Sequence, residues 1–284
     1  MGQHSYGDPS RGEGYEFTNF LPALRRLGHQ LVFFESFNRD RFNNFAQLNR
    51  SLVEQVAHER PEAVLFVLMG YEVWLETFDI LRALGAFLIN WGTDDSWKYD
   101  SFARFIAPKV DVYVTTHHGA LCSARRDGLS NVVLSQWAAN PDTLQQPLPA
   151  KQCRHRVTFI GSAYGDRPRW IAALKRRGVD VECFGHGWPA GPVPAVDSTR
   201  IIRESVISLN FADAGPHGLG VGSTKGRQIK ARTFEVPGAG GFLLTERADG
   251  VEHYYEPGAE PVPETETVTV EQVEQLGSKK GQVP

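Results

Sequence analysis

Residues 230–246 read KARTFEVPGAGGFLLTE. Lys230 and Arg232 come first, Glu235 follows, and Pro237 is joined within five residues by Gly238, Gly240 and Gly241. Cations meet phosphate through charge-assisted hydrogen bonds, and glycine lets a backbone approach a ligand closely. The stretch is suited to cradling a phosphorylated ligand, and equally to an ordinary helix-to-strand turn. A second group of this kind is RVTFIGSAYGDRPRW, with Gly161 in the glycine position and Arg167 and Arg169 at the start of an expected helix. The free N–H groups and dipole of a helix start favour an anion. The plainer alternative is a strand–turn–helix with Pro168 in the first turn and solvated arginines. In CFGHGWP, Trp188 has a face for stacking on a base and His186 can donate a hydrogen bond; otherwise the tryptophan pins a loop to the core. The stretch from Gly215 to Gly226 has five glycines, with Lys225 near its end and Arg227 directly after it. In NWGTDDSWKYD, Asp94 and Asp95 are adjacent carboxylates after an apolar run. Such a pair can supply an acid or base, hold a divalent metal, or cap the following helix. The adjacent His117 and His118 do not have the spacing of a zinc site.

The elements that must position these residues alternate. Strand-like runs are expected at 30–35, 63–69, 86–91, 110–116, 131–135, 156–162, 179–185, 206–211 and 241–246, with helices between, among them 42–59, 75–84, 167–177 and one ending near Val236. Near-continuous apolar strands separated by helices predict an α/β fold with parallel sheets covered on both faces. Residues 138–155, with three prolines, interrupt the rhythm and read as a linker. Two domains follow from this: 1–140 and 155–284, with a polar tail from about residue 262 that holds at most a short helix near 271–276. The sequence has 284 residues, net charge -3 and a pI near 6.3, giving no basic excess that calls for nucleic acid. Three scattered cysteines fit free thiols rather than a disulfide framework. No apolar run reaches membrane-spanning length and no signal peptide is visible, so the expected setting is cytoplasmic.

Taken in order, YGDPSRGEGYEFTNFLPALRRLGHQLVFFE, INWGTDDSWKYD, VTFIGSAYGDRPR, CFGHGWP, ISLNF and KARTFEVPGAGGFLLTE resemble the CgeB-like (spore maturation protein) glycosyltransferases, of the GT-B type and family 4-like, over residues 6 to about 258. The resemblance implies two Rossmann-like domains facing each other across a cleft. The C-terminal domain would hold a nucleotide-diphosphate sugar of UDP or GDP type, and the N-terminal domain the acceptor side. It implies a hexosyltransferase-like enzyme working without a metal cofactor, the departing diphosphate being met by cations. Glu235 would accept the ribose hydroxyls. Gly238, Ala239 and Gly240 would form the turn under the diphosphate, Arg167 would bind its charge with Lys230 and Arg232 as helpers, and the loop with His186 and Trp188 would lie near the base. Gly12 and the Asp94/Asp95 pair would line the acceptor side, the pair as the catalytic candidates. Arg227 departs from the family, which keeps a second glutamate there. The short opening strand and the missing closing helix suggest a shortened chain, for which the alternative is a nucleotide-binding protein without turnover. A metal-dependent transferase using Asp94 and Asp95 is a third reading. Donor, acceptor and oligomeric state are not legible.

Overall fold

The computed structural model describes residues 1–37, 40–214 and 226–255. The glycine-rich stretch 215–225, the expected helix near 271–276 and the tail from 262 lie outside the described residues. The chain divides into two compact units, Met1–Gln136 and Trp137–Pro284.

In the first unit, α1 (Tyr15–Arg26) and α2 (Phe45–Glu59) precede the sheet. α2 begins where the Asn44 side chain accepts the Gln47 N–H at 2.9 Å, an N-cap that satisfies one of the open donors of the first turn. It stops at Arg60, whose φ of 47° is left-handed, just before Pro61. The sheet is built from β1 (Ala63–Phe66), β2 (Phe87–Trp91), β3 (Val112–Thr115) and β4 (Val132–Leu134), parallel throughout and in sequential order. Between the strands run α3 (Leu75–Ala83), the α4–α5 segment (Asp95–Lys98 and Arg104–Ile106, joined by a π turn) and α6 (His118–Arg126). Phe66, Leu88, Tyr113 and Val132 of the strands form one core with Leu48 and Leu52 of α2 and Phe78 and Leu81 of α3. Residues 28–36 were expected to contain a strand and do not form one. Their polar groups are met elsewhere: the Phe33 carbonyl accepts the Gln55 side-chain amide at 3.3 Å, the Ser36 N–H donates to the Met1 carbonyl, and buried Glu35 accepts the backbone N–H groups of Gln3 and Phe37.

The second unit contains β5 (His155–Ile160), α7 (Arg167–Arg176), β6 (Glu182–Phe184), α8 (Ala195–Arg203), β7 (Ser205–Asn210), the short antiparallel pair β8 (Asp213–Ala214) and β9 (Gly226–Arg227), α9 (Arg232–Gly238) and β10 (Leu243–Thr245). Its parallel sheet has the order β10-β7-β5-β6. From β5 the chain steps to β6 on one side, then returns to place β7 on the other. Crossovers of one hand running in opposite directions put their helices on opposite faces. Accordingly Ile171 and Leu174 of α7 pack with Val157, Phe159, Ile207 and Leu209, while Ile202 of α8 and Val236 and Ala239 of α9 pack with Ile160 and Leu243. The alternation of Phe159 and Ile160 along β5 is the two-residue period of a strand covered on both faces. The hydroxyls buried on the α8 side are paired, Thr158 donating to Ser205 at 2.8 Å.

The stretch expected to be a linker is part of this unit. It carries two 3-10 turns, Pro141–Thr143 and Ala150–Gln152. The Gln145 N–H donates to the Gly238 carbonyl at 2.8 Å, and Arg203 donates to the Gln146 carbonyl at 3.0 Å. Among the described residues, no helix is long and apolar enough to cross a membrane.

Candidate functional site

In an open parallel sheet the place where neighbouring connections diverge to opposite faces leaves a crevice at the carboxyl ends of the strands. Here that place lies between β5 and β7. Gly161 follows β5 directly. Its N–H donates to the Phe184 carbonyl and its carbonyl accepts the Trp188 indole N–H, both at 2.7 Å, and the Ala163 N–H donates to the His186 carbonyl at 2.7 Å. The loops after β5 and β6 are thus fastened edge to edge. Gly185 must be glycine for this: its φ is 128°, and a Cβ there would stand 2.4 Å from the Gly161 carbonyl oxygen. Trp188, expected beside a base, spends its N–H on this latch and sets its ring edge-on to Phe159. The structure therefore assigns it the loop-pinning task. His186 is half-buried in the same loop.

Two guanidinium groups flank the buried Phe159 ring, Arg167 at 5.4 Å and Arg232 at 5.5 Å from its centroid. They are held differently. Arg167 is 5% exposed. It donates to the Ser162 carbonyl at 3.0 Å and the Tyr164 hydroxyl at 2.9 Å, and lies 3.9 Å from the centre of the Tyr164 ring. Its donors are largely committed to shaping the loop, whereas the sequence pointed to it as the main phosphate cation. Arg232 opens α9, and among the described residues its side chain makes one long hydrogen bond, to the Asn210 side-chain oxygen at 3.4 Å. Its Nη2 lies 2.7 Å from where a Cβ on Gly161 would stand. Arg232 is therefore the cation set over bare backbone at the sheet reversal.

Asn210 ends β7 and is 3% exposed; its amide also donates to the Thr245 hydroxyl at 2.9 Å. One residue on, Glu246 accepts the Ala212 N–H at 2.8 Å. Burial pushes its carboxyl up, and Asp213 adds to this; the Ala212 hydrogen bond and the charges of Arg227 and Arg167 oppose it. Neither residue stood out in the sequence. The available signal was a polar side chain closing a buried apolar run, as in SLN and LLTE.

The remaining residues of KARTFEVPGAGGFLLTE are spread along α9 and its turn. Lys230 and Glu235 are half-buried. The small residues of the turn have packing partners: a Cβ on Gly238 would come within 2.5 Å of the Ala139 side chain. Gly240, at φ 73°, would meet the backbone of Gln145 and Gln146 at 2.9 Å. Ala239 is 2% exposed in the core beside α8. The expected bare turn thus lies against 139–146, and the glycine with bare backbone beside a cation is Gly161.

In the first unit the carboxylate pair divides. Asp94 precedes α4 and pairs with Lys98 at 3.6 Å. Asp95 is 3% exposed and accepts the Tyr113 hydroxyl at 2.9 Å. Burial pushes its carboxyl up to about 6, against the opposing effect of Thr115 and Tyr113. Its Oδ2 lies so close to Gly92 that a Cβ there would overlap it. Gly12 is exposed, with φ 75° in the loop before α1, and nothing lies within 4 Å of its open side. Among the described residues no group of three or more His, Cys, Asp or Glu side chains is arranged to hold a metal ion.

No curated protein matches the chain. Among solved structures it is similar to a proposed UDP-N-acetylglucosamine 2-epimerase from Listeria monocytogenes, with a TM-score of 0.49 and 14% identity, covering 94% of this chain and 80% of that one. It is also similar to the apo form of the lipopolysaccharide outer core galactosyltransferase WaaB, with a TM-score of 0.48 and 12% identity, covering 75% of this chain and 64% of that one. Residues 167–281, which begin at the buried arginine of α7 and include Asn210, Arg232, Glu235 and Glu246, match the family model described as glycosyl transferase-like.

Proposed function

We propose that the chain is a GT-B glycosyltransferase that moves a sugar from a UDP- or GDP-type donor to an acceptor held by the first unit, without a metal cofactor. The observation that carries this is Arg232 over the bare backbone of Gly161 at the sheet reversal, within a unit most of which matches a glycosyl transferase-like family. A diphosphate there meets a guanidinium in a partly dry site, where charge stabilisation of a leaving group is strongest. In this reading Lys230 adds charge, Glu235 accepts the ribose hydroxyls and the His186 loop borders the base. Arg167 acts by holding the loop that carries Gly161. On the acceptor side Asp94 is the carboxylate able to meet a ligand, with Gly12 leaving room beside α1. Asp95 supports the loop from within.

Calorimetric titration with UDP, GDP and their sugars tests the reading. Binding of one nucleotide diphosphate is expected, unchanged in EDTA, and Arg232→Ala weakens it by about 10- to 100-fold, the value of a charge-assisted hydrogen bond of roughly 1.5–3 kcal/mol. Absence of binding by every nucleotide diphosphate overturns it. The burial of Asp95 favours a second reading, in which the chain binds the nucleotide without turnover, because the carboxyl poised near neutral pH is sealed. Measurable transfer or donor hydrolysis that disappears in Glu235→Ala rejects that second reading.

A further inference from the structure

Glu246 has no part in the function proposed above, yet its setting is built. It follows β10 at the carboxyl edge of the sheet, beside β7, where Thr245 is in register with Asn210. Its Oε2 is fixed by the Ala212 N–H at 2.8 Å, and no described residue donates to Oε1. Its backbone carbonyl accepts the Thr245 hydroxyl, which in turn accepts the Asn210 amide. The carboxylate is therefore oriented, and its anchor is tied to the residue that Arg232 touches.

The order of the strands decides what belongs there. The cationic end of the crevice lies over β5 and β7. On its β6 side the loops after β5 and β6 are latched by the Trp188 and Ala163 hydrogen bonds. On its β10 side stands Glu246, about one strand spacing, or ~5 Å, from the Asn210 end. A carboxylate repels phosphate oxygens but accepts hydrogen bonds from hydroxyls. A ligand with phosphate at Arg232 must therefore turn a neutral, hydroxyl-bearing portion toward Glu246. Burial raises the pKa of this carboxyl, and the charges of Arg227 and Arg167 oppose that rise; in either form it keeps an oxygen that accepts from a hydroxyl.

We propose that Glu246 is a specificity-determining residue that accepts hydrogen bonds from the vicinal hydroxyls of a sugar ring joined to the phosphates. This rests on the glycosyltransferase reading. The ring is either the sugar being transferred or the ribose of the nucleotide, whose vicinal hydroxyls Glu246 then shares with Glu235, and the two are separated by experiment.

Binding of pyrophosphate, UDP and GDP, and the corresponding UDP- and GDP-hexoses is measured for the wild type, Glu246→Ala and Glu246→Gln. A loss of about tenfold or more in Glu246→Ala is expected. If it falls on the nucleotide sugar alone, the transferred sugar is the ring read. If it falls equally on the nucleotide and its sugar while pyrophosphate binding is unchanged, the ring is ribose. Glu246→Gln keeps an acceptor for Ala212 and is expected to lose less than Glu246→Ala. Equal loss of pyrophosphate overturns the proposal, since the residue then only holds the 211–214 backbone; no loss for any ligand also overturns it. A wild type that binds pyrophosphate but no nucleotide or nucleotide sugar sinks the glycosyltransferase reading itself, an outcome distinct from an unchanged Glu246→Ala.

Discussion

Arg167 and Arg232 show what a single residue's type and neighbours reveal and what they conceal. Both are cations near glycines, and both were legible as candidates. Which one keeps its donors open depended on partners invisible in the local pattern: the Ser162 carbonyl and Tyr164 hydroxyl take up Arg167, whereas among the described residues Arg232 holds only a 3.4 Å bond to Asn210 and lies against Gly161. Asp94 and Asp95 have the same character. Adjacent in sequence, they differ because one opens toward Lys98 and the other enters the interior. The interior one carries a testable pH dependence. Burial raises the Asp95 pKa from 3.8 to about 6. A carboxyl whose folded pKa is raised contributes stability that is full below about pH 3.8 and is lost as pH rises through 6. A shift of about two units corresponds to about 3 kcal/mol. Asp95→Asn keeps an oxygen for the Tyr113 hydroxyl and removes the buried charge. Thermal unfolding across pH is expected to show the variant level with the wild type near pH 4 and more stable above pH 7, by as much as about 3 kcal/mol. A stability difference that does not change between these pH values rejects the argument.

The parallel strands were readable as elements because strands covered on both faces appear as continuous apolar runs. Residues 30–35 have such a run and still form no strand; the Phe33 carbonyl is met by the Gln55 side chain, and the Ser36 N–H that follows is met by the Met1 carbonyl. α8 lacked a long apolar stripe in sequence, resting on the adjacent Ile201 and Ile202. The proline-containing stretch 138–155 reads as a linker by composition, but it supplies the surface against which the Gly238–Gly240 turn packs. At this scale the latch between the loops after β5 and β6 is the feature that shapes the crevice. Gly185→Ala forces a Cβ to within 2.4 Å of the Gly161 carbonyl oxygen at a φ of 128°. Left-handed strain and the clash together are expected to cost about 2–3 kcal/mol. Unfolding midpoints and nucleotide titration are expected to fall together, since separating the loops displaces Gly161 from Arg232. Gly191→Ala, at φ 69° with nothing within 4 Å, is the control that carries the backbone strain without the clash. Equal effects of the two substitutions on nucleotide affinity would reject the latch.

Across the whole chain, the two α/β units could be anticipated from the alternation of strands and helices, but the reversal of strand order in the second could not. Strand order is a property of which faces the helices cover, and no local pattern encodes whether β7 returns past β5. That reversal distinguishes the second unit's sheet from the first. The first unit's described sheet runs in sequential order. The second unit has the diverging connections, the two guanidinium groups at Phe159, and the polar strand ends Asn210 and Glu246. Among the described residues, its hydrophobic clusters run from Val157 to Ala248 and give it a core of its own. An element set with its own core, in the usual range of about 100–150 residues for a domain, has what it needs to fold alone. The polypeptide Trp137–Pro284 is therefore expected to unfold cooperatively by circular dichroism. It is expected to bind the same nucleotide diphosphate as the full chain with a Kd within about threefold, or roughly 0.6 kcal/mol, and to catalyse no transfer. A folded fragment that binds more than about tenfold more weakly would mean that the first unit contributes directly to nucleotide binding. A fragment that transfers sugar would remove the acceptor role assigned to Asp94.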